Sequence, residues 1–130
     1  MRKILISIVV LTILHSCEKI KGVEGVEDTQ GPSITILEPQ ITSFRSDDTL
    51  KIEVFFSDND GLHDVYIGLN DMTLGLKRIH WPMHEHGVNA EIDTFYVFPS
   101  DTGRKEFVLQ IESSDHNNNR RSTRKSLYLN

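Results

Sequence analysis

The chain has a single cysteine, only four prolines and eight glycines in 130 residues, and no apolar stretch long enough to cross a bilayer as a helix. One cysteine excludes an intramolecular disulfide, so stability must come from a packed core. The low proline and glycine content excludes a collagenous or low-complexity chain, and the supply of Val, Ile, Leu and Phe excludes global disorder. Positive charge is also short: 14 Lys+Arg stand against 19 Asp+Glu, a formal net charge of −5, which argues against a nucleic-acid partner. Catalytic patterns are missing as well. Ser57, Ser113 and Ser114 have aspartates and histidines nearby only as turn residues, with no strand-turn-helix nucleophile elbow, and no glycine-rich loop could cradle a phosphate. A non-enzymatic protein of one domain is the expectation.

What is present begins with an address. Residues 1–17 read MRKILISIVVLTILHSC, with Arg2 and Lys3 ahead of an apolar run from Ile4 to Leu14 broken only by Ser7 and Thr12. That is the layout of an export signal. As a helix the run would span roughly 16 Å, against a hydrocarbon core of about 30 Å, too short for a transmembrane anchor. Leu14-His15-Ser16-Cys17 resembles the lipobox of bacterial lipoproteins, although His15 stands where a small residue is usual. The resemblance implies cleavage after Ser16, a diacylglyceryl thioether on Cys17 and acylation of the new N-terminus. Several acyl chains, at about 0.8 kcal/mol per buried methylene, would hold such a protein stably to a membrane. Loss of the leader (1–16) removes two cations and no acids, leaving a mature chain with a net charge of −7. Residues 17–31 then read as the lipidated cysteine and a flexible tether, since EKIKGVEGVEDTQG carries neither helical nor strand periodicity.

From Pro32 to Asn130 short β-rich runs recur between Gly, Pro, Asn, Asp and Ser. Strands are predicted over Ser33–Leu37, Thr49–Ser57, His63–Leu69, 73–79, Glu91–Phe98, Lys105–Ser113 and Ser122–Leu129. The clearest is TLKIEVFFS, where Leu50, Ile52, Val54 and Phe56 alternate with Lys51, Glu53 and Phe55. Seven short alternating strands argue for an all-β, two-sheet sandwich of the immunoglobulin or fibronectin type III kind over residues 32–130. A small barrel is the competing architecture.

The pieces PSITILEP, LKIEVFFSDNDGLHDVYI and FVLQIESSDHNNNR look like the opening strand, the second strand with its Asp-rich turn, and the penultimate strand with its Asp/Asn turn in bacterial Ig-like domains. With the lipobox, the whole chain is similar to a family of uncharacterised bacterial lipoproteins bearing one such domain, some members of which have a His-x-His element before the sixth strand. The resemblance implies this fold and an envelope location, with no established activity; the lipid-anchored chain is expected at the outer membrane, on its periplasmic face or at the surface, rather than at the inner membrane.

Chemistry is concentrated in five histidines of the mature chain: His63, His80, His84, His86 and His116, three of them in HWPMHEH. On an extended segment His84 and His86 point the same way, a spacing that suits zinc or copper. His80 joins them only if the chain folds back at Pro82. Sandwich connectivity would bring the turns 58–62, 80–90 and 115–121 to one end, and with them Asp58, Asp60, Asp115 and Asn117, an oxygen set suited to calcium. The competing readings are solvated loop histidines and ordinary Asx turns, with Gly61 supplying a positive φ. Ser57-Asp58-Asn59-Asp60-Gly61 lacks the glutamate of an EF-hand. Trp81, among the histidines, is either a cap on the core or a contact surface for an envelope protein or glycan. Arg104, Lys105, Arg120, Arg121, Arg124 and Lys125 should make the C-terminal edge basic, protecting it against strand pairing.

Overall fold

A computed structural model describes residues 27–100 and 103–130. The leader, Cys17 and most of the tether lie outside the described residues. The described chain is all β, with eight strands: β1 (Ser33–Glu38), β2 (Ser43–Phe44), β3 (Thr49–Ser57), β4 (Leu62–Asp71), β5 (Leu76–His84), β6 (Asn89–Val97), β7 (Lys105–Asp115) and β8 (Arg120–Leu129). They form two sheets, ordered β1-β3-β6 and β2-β8-β7-β4-β5, stacked as a β-sandwich. No helix among the described residues is long and apolar enough to cross a membrane.

Alternation drives the assembly. Leu50, Ile52, Val54 and Phe56 of β3 are fully buried against Val65, Ile67 and Leu69 of β4, Phe107, Leu109 and Ile111 of β7, and Leu127 and Leu129 of β8. Burying each such side chain contributes about 1.5–3 kcal/mol. Phe98 closes one end, its ring 5.0 Å from those of both Phe44 and Phe107 and 5.5 Å from Tyr96. His63, His84, His86 and His116 lie toward the other end, because β7 runs from Lys105, paired with Leu129 beside that aromatic group, to Asp115, paired with Leu62 next to His63.

Three expectations need correction. There are eight strands rather than seven; the extra one, β2, pairs in parallel with Tyr128 and Leu129 and is too short to have a periodicity. The fourth predicted strand, 73–79, is shifted: residues 72–75 are the turn, and β5 continues through His84. The Asp71 carboxylate fixes that turn by accepting hydrogen bonds from the Thr73 and Leu74 amides, and Gly75 takes a φ of 66°. His80, Trp81, Pro82 and Met83 therefore sit on a strand, with proline tolerated because β5 is an edge. Finally, the C-terminal part of the expected flexible tether is docked: the Asn119 side-chain amide donates to the Asp28 carbonyl at 2.9 Å, and Gly31 lies against Asn119 and Arg120.

The basic strand β8 is an open edge except where β2 covers its end. Two of its cations reach across to the start and end of β1, with Arg121 donating to the Pro32 carbonyl and Lys125 to that of Pro39.

Candidate metal centre

The β4–β7 register slips by one residue near the start of β4: Leu62 is opposite Asp115, and Asp64 is opposite Ser114. His63 is the extra residue. Strict alternation would place it on the core side with Val65 and Ile67; the slip turns it out beside Asp64, the re-aiming a β-bulge achieves. Across the other side of β4, Asp64 faces His84. The result is one carboxylate holding two imidazoles, with Asp64 Oδ2 2.9 Å from His63 Nδ1 and Asp64 Oδ1 2.9 Å from His84 Nδ1. Ligand atoms of His63, Asp64 and His84 all lie within 4.8 Å of one another.

Two more rings extend the group. His116 stands 5.1 Å from His63, and His86 stands 4.5 Å from His84, each edge to face. The His63 and His84 rings are themselves 4.4 Å apart. The backbone holds this arrangement: the Glu85 amide donates to the His63 carbonyl and the Leu62 amide to that of Gly87, tying the segment after β5 to the start of β4. Gly61, at φ 117°, passes under the His116 ring, where an added Cβ would meet His116 Cδ2 at 3.4 Å.

The hydrogen bond from His84 holds the Asp64 carboxyl below the usual carboxylate range; partial burial opposes this, and His63 adds to it. An ionised Asp64 accepts only, so both Nδ1 atoms donate to it. Ligand atoms around one zinc at 2.0–2.2 Å would be about 3.3 Å apart; the three donor groups here, within 4.8 Å of one another, would need only a small adjustment to share a metal. Binding there would displace the two N–H protons.

His80 is not part of this group. It pairs with Gly68 across β4 and β5, and its Nδ1 lies 3.3 Å from the Tyr66 hydroxyl. The missing side chain at Gly68 lets the Tyr66 phenol lie over the strand, where a Cβ would come within 2.4 Å of the hydroxyl oxygen. Pro82 continues the strand instead of folding it back. Trp81 lies cross-strand from Ile67 on the free edge and is 40% exposed.

Of the oxygen set, Asp58 and Asp115 meet, and their third member is Asp28, from the segment expected to be tether. Asp60 and Asn117 instead bond to each other at 3.1 Å. Asp64 was likewise overlooked; its only signal in the sequence was an acid next to a histidine on the outward side of a strand. Compared with known proteins, the chain matches no protein-family model and no curated protein.

Proposed function

We propose that this protein is a cell-envelope lipoprotein, anchored through Cys17 to the outer membrane, whose Ig-like sandwich is a binding module for a transition-metal ion, zinc or copper. The observation that supports the reading is the convergence of His63, Asp64 and His84, produced by a register slip, with His86 and His116 in ring contact on either side. Neutral imidazoles with one carboxylate are the donor set of a zinc or copper centre. In this reading His63, Asp64 and His84 hold the metal, and His86 or His116 supplies the fourth ligand. His80, held against Tyr66, takes no part.

The test is elemental analysis of the full chain, purified without a histidine tag, after exposure to zinc and then to copper. One equivalent of metal that His84→Ala with Asp64→Ala abolishes supports the proposal; no retained metal and no metal-dependent change in Tm refutes it. The anchor is tested separately, since Cys17→Ser should abolish lipid labelling and membrane fractionation.

One observation favours a second reading, in which the module holds an envelope protein or a glycan. Trp81 is 40% exposed on an edge strand, and aromatics in such positions dominate interface energetics. Loss of partner capture on Trp81→Ala in a variant that retains metal would favour it.

A further inference from the structure

A groove of about 370 Å³ opens beside the histidine group on the outer face of the five-stranded sheet, lined by Asp64 and Tyr66 of β4, Glu112 and Ser114 of β7, and Arg120 and Ser122 of β8. The registers set these residues in two rows across three neighbouring strands. Asp64 is opposite Ser114 and Ser114 opposite Arg120; Tyr66 is opposite Glu112 and Glu112 opposite Ser122. The first row continues into His84 on β5. One side of the groove is therefore the carboxylate of the histidine group and the other is an arginine, on strands roughly 10 Å apart at about 4.8 Å per strand. Arg121 also borders the groove, but alternation turns its side chain to the opposite face, where its Nε donates to the Pro32 carbonyl at 3.3 Å.

Arg120 is exposed and forms no ion pair among the described residues. Its Nε donates to Asn118 Oδ1 at 3.0 Å, which steadies the side chain and leaves both Nη groups, the fork suited to an oxyanion. Two carboxylates share the groove with it. Asp64 holds the histidines, and Glu112 accepts from the Gln110 side-chain amide. Tyr66 keeps its proton, because burial and the nearby Glu112 both push its pKa up. With neutral histidines the groove has one cation against two anions, and it repels an anionic ligand. A divalent metal held by His63, Asp64 and His84 reverses that sign, from one net negative charge to one net positive.

We propose, resting on the metal-binding reading above, that this groove binds a phosphate group between the metal and Arg120, and binds it only when the metal is present. His86 and His116 stand outside the set whose ligand atoms converge within 4.8 Å, so the fourth metal position is the exchangeable one. A phosphate oxygen enters there, as substrates do at zinc sites with three fixed ligands. The Arg120 fork takes a second oxygen, and the Ser114 hydroxyl, on the strand between, donates to a third. A phosphate monoester has three free oxygens for these three partners, whereas a carboxylate has two and leaves one partner unused. The remaining volume, toward Tyr66 and Ser122, has room for the group that carries the phosphate.

The full chain in detergent, without a histidine tag and loaded with one equivalent of zinc, is dialysed against radiolabelled inorganic phosphate beside an EDTA-stripped sample. The loaded chain should bind one phosphate at least about tenfold more tightly than the stripped chain, and saturating phosphate should tighten zinc binding by the same factor. Arg120→Gln keeps a donor for Asn118 and should retain zinc as wild type, yet bind phosphate at least about tenfold more weakly. Ser114→Ala should weaken it about two- to tenfold. Displacement of the label by glycerol phosphate points to a soluble ester, and displacement by phosphatidic acid in the micelle points to a lipid headgroup; displacement by neither overturns the proposal. Zinc retained with phosphate bound no better than by the stripped chain, or bound equally by Arg120→Gln, overturns it and leaves the metal reading standing. A chain that retains no zinc overturns both.

Discussion

Replacing Asp71 by alanine should be among the most damaging single changes to this domain that leave the apolar core untouched. Asp71 ends β4 with its side chain wholly buried, and its Oδ2 accepts from Arg78 Nη2 at 2.9 Å. The other oxygen closes the β4–β5 turn through the Thr73 and Leu74 amides at 3.1 and 3.0 Å. Arg78 reaches it because the β4–β5 register slips there, with Leu69 opposite Ile79 and Asn70 opposite Lys77. The two turn amides belong to exposed residues that water can satisfy, so their loss costs about 1 kcal/mol together. Breaking a fully buried ion pair costs about 3–5 kcal/mol. Arg78 is 26% exposed and can turn partly to water, while its Nε is buried without a partner, so a total of about 2–4 kcal/mol is expected. For a domain of this size that is a fall in Tm of roughly 10–25 °C. Asp71→Asn keeps an acceptor for the amides and should cost about 1–2 kcal/mol.

The same pair has a pH signature. Burial pushes the Asp71 carboxyl up, but the Arg78 guanidinium and the Leu74 and Thr73 amides outweigh it and hold the group below its ordinary value. A depressed folded pKa adds stability above the unfolded value, about 3.9, and the gain disappears as pH falls through the folded value. Denaturant unfolding of wild type and Asp71→Asn should therefore differ by a constant amount from pH 7 to about 5 and converge below about pH 4. A cost under about 0.5 kcal/mol for Asp71→Ala, or a gap to Asp71→Asn unchanged down to pH 3, would refute the reasoning.

Other outcomes follow from the same geometry. Phe107→Ala empties the centre of the aromatic group formed with Phe98 and Tyr96 and should cost about 3–5 kcal/mol in chemical denaturation. Gly61→Ala should cost at least about 1 kcal/mol, because its φ of 117° disfavours any side chain, and should displace His116, visible as a change in that ring's NMR signals. Gly68→Ala should push the Tyr66 phenol off the strand and separate it from His80 without changing metal content, since His80 stands outside the metal cluster. His84→Ala should lower zinc affinity at least about tenfold while changing apo-protein stability by under about 1 kcal/mol, as both it and Asp64 are exposed.

The architecture was largely legible in the residue order because its signal is local. Leu50, Ile52, Val54 and Phe56 alternate with Lys51, Glu53 and Phe55 on the outer face, and a strand buried on one face can satisfy that pattern in only one register. The lone cysteine, the short apolar leader and the acidic balance are also properties of the chain before it folds, and they frame the expectation of a lipid-anchored module. β5 was less legible, since His80, Trp81 and Pro82 look like a loop until pairing with β4 holds them extended. The His84-x-His86 spacing pointed to a metal, but its partners His63 and Asp64 join through a register slip that no periodicity announces. Asp28 carried no pattern at all; it meets Asp58 and Asp115 only because the chain before β1 docks on Asn119, 91 residues away. Strand identity depends on side-chain alternation within a few residues, whereas both clusters depend on which strands become neighbours and where their registers slip. Those are outcomes of packing, decided only when the two sheets close on one core.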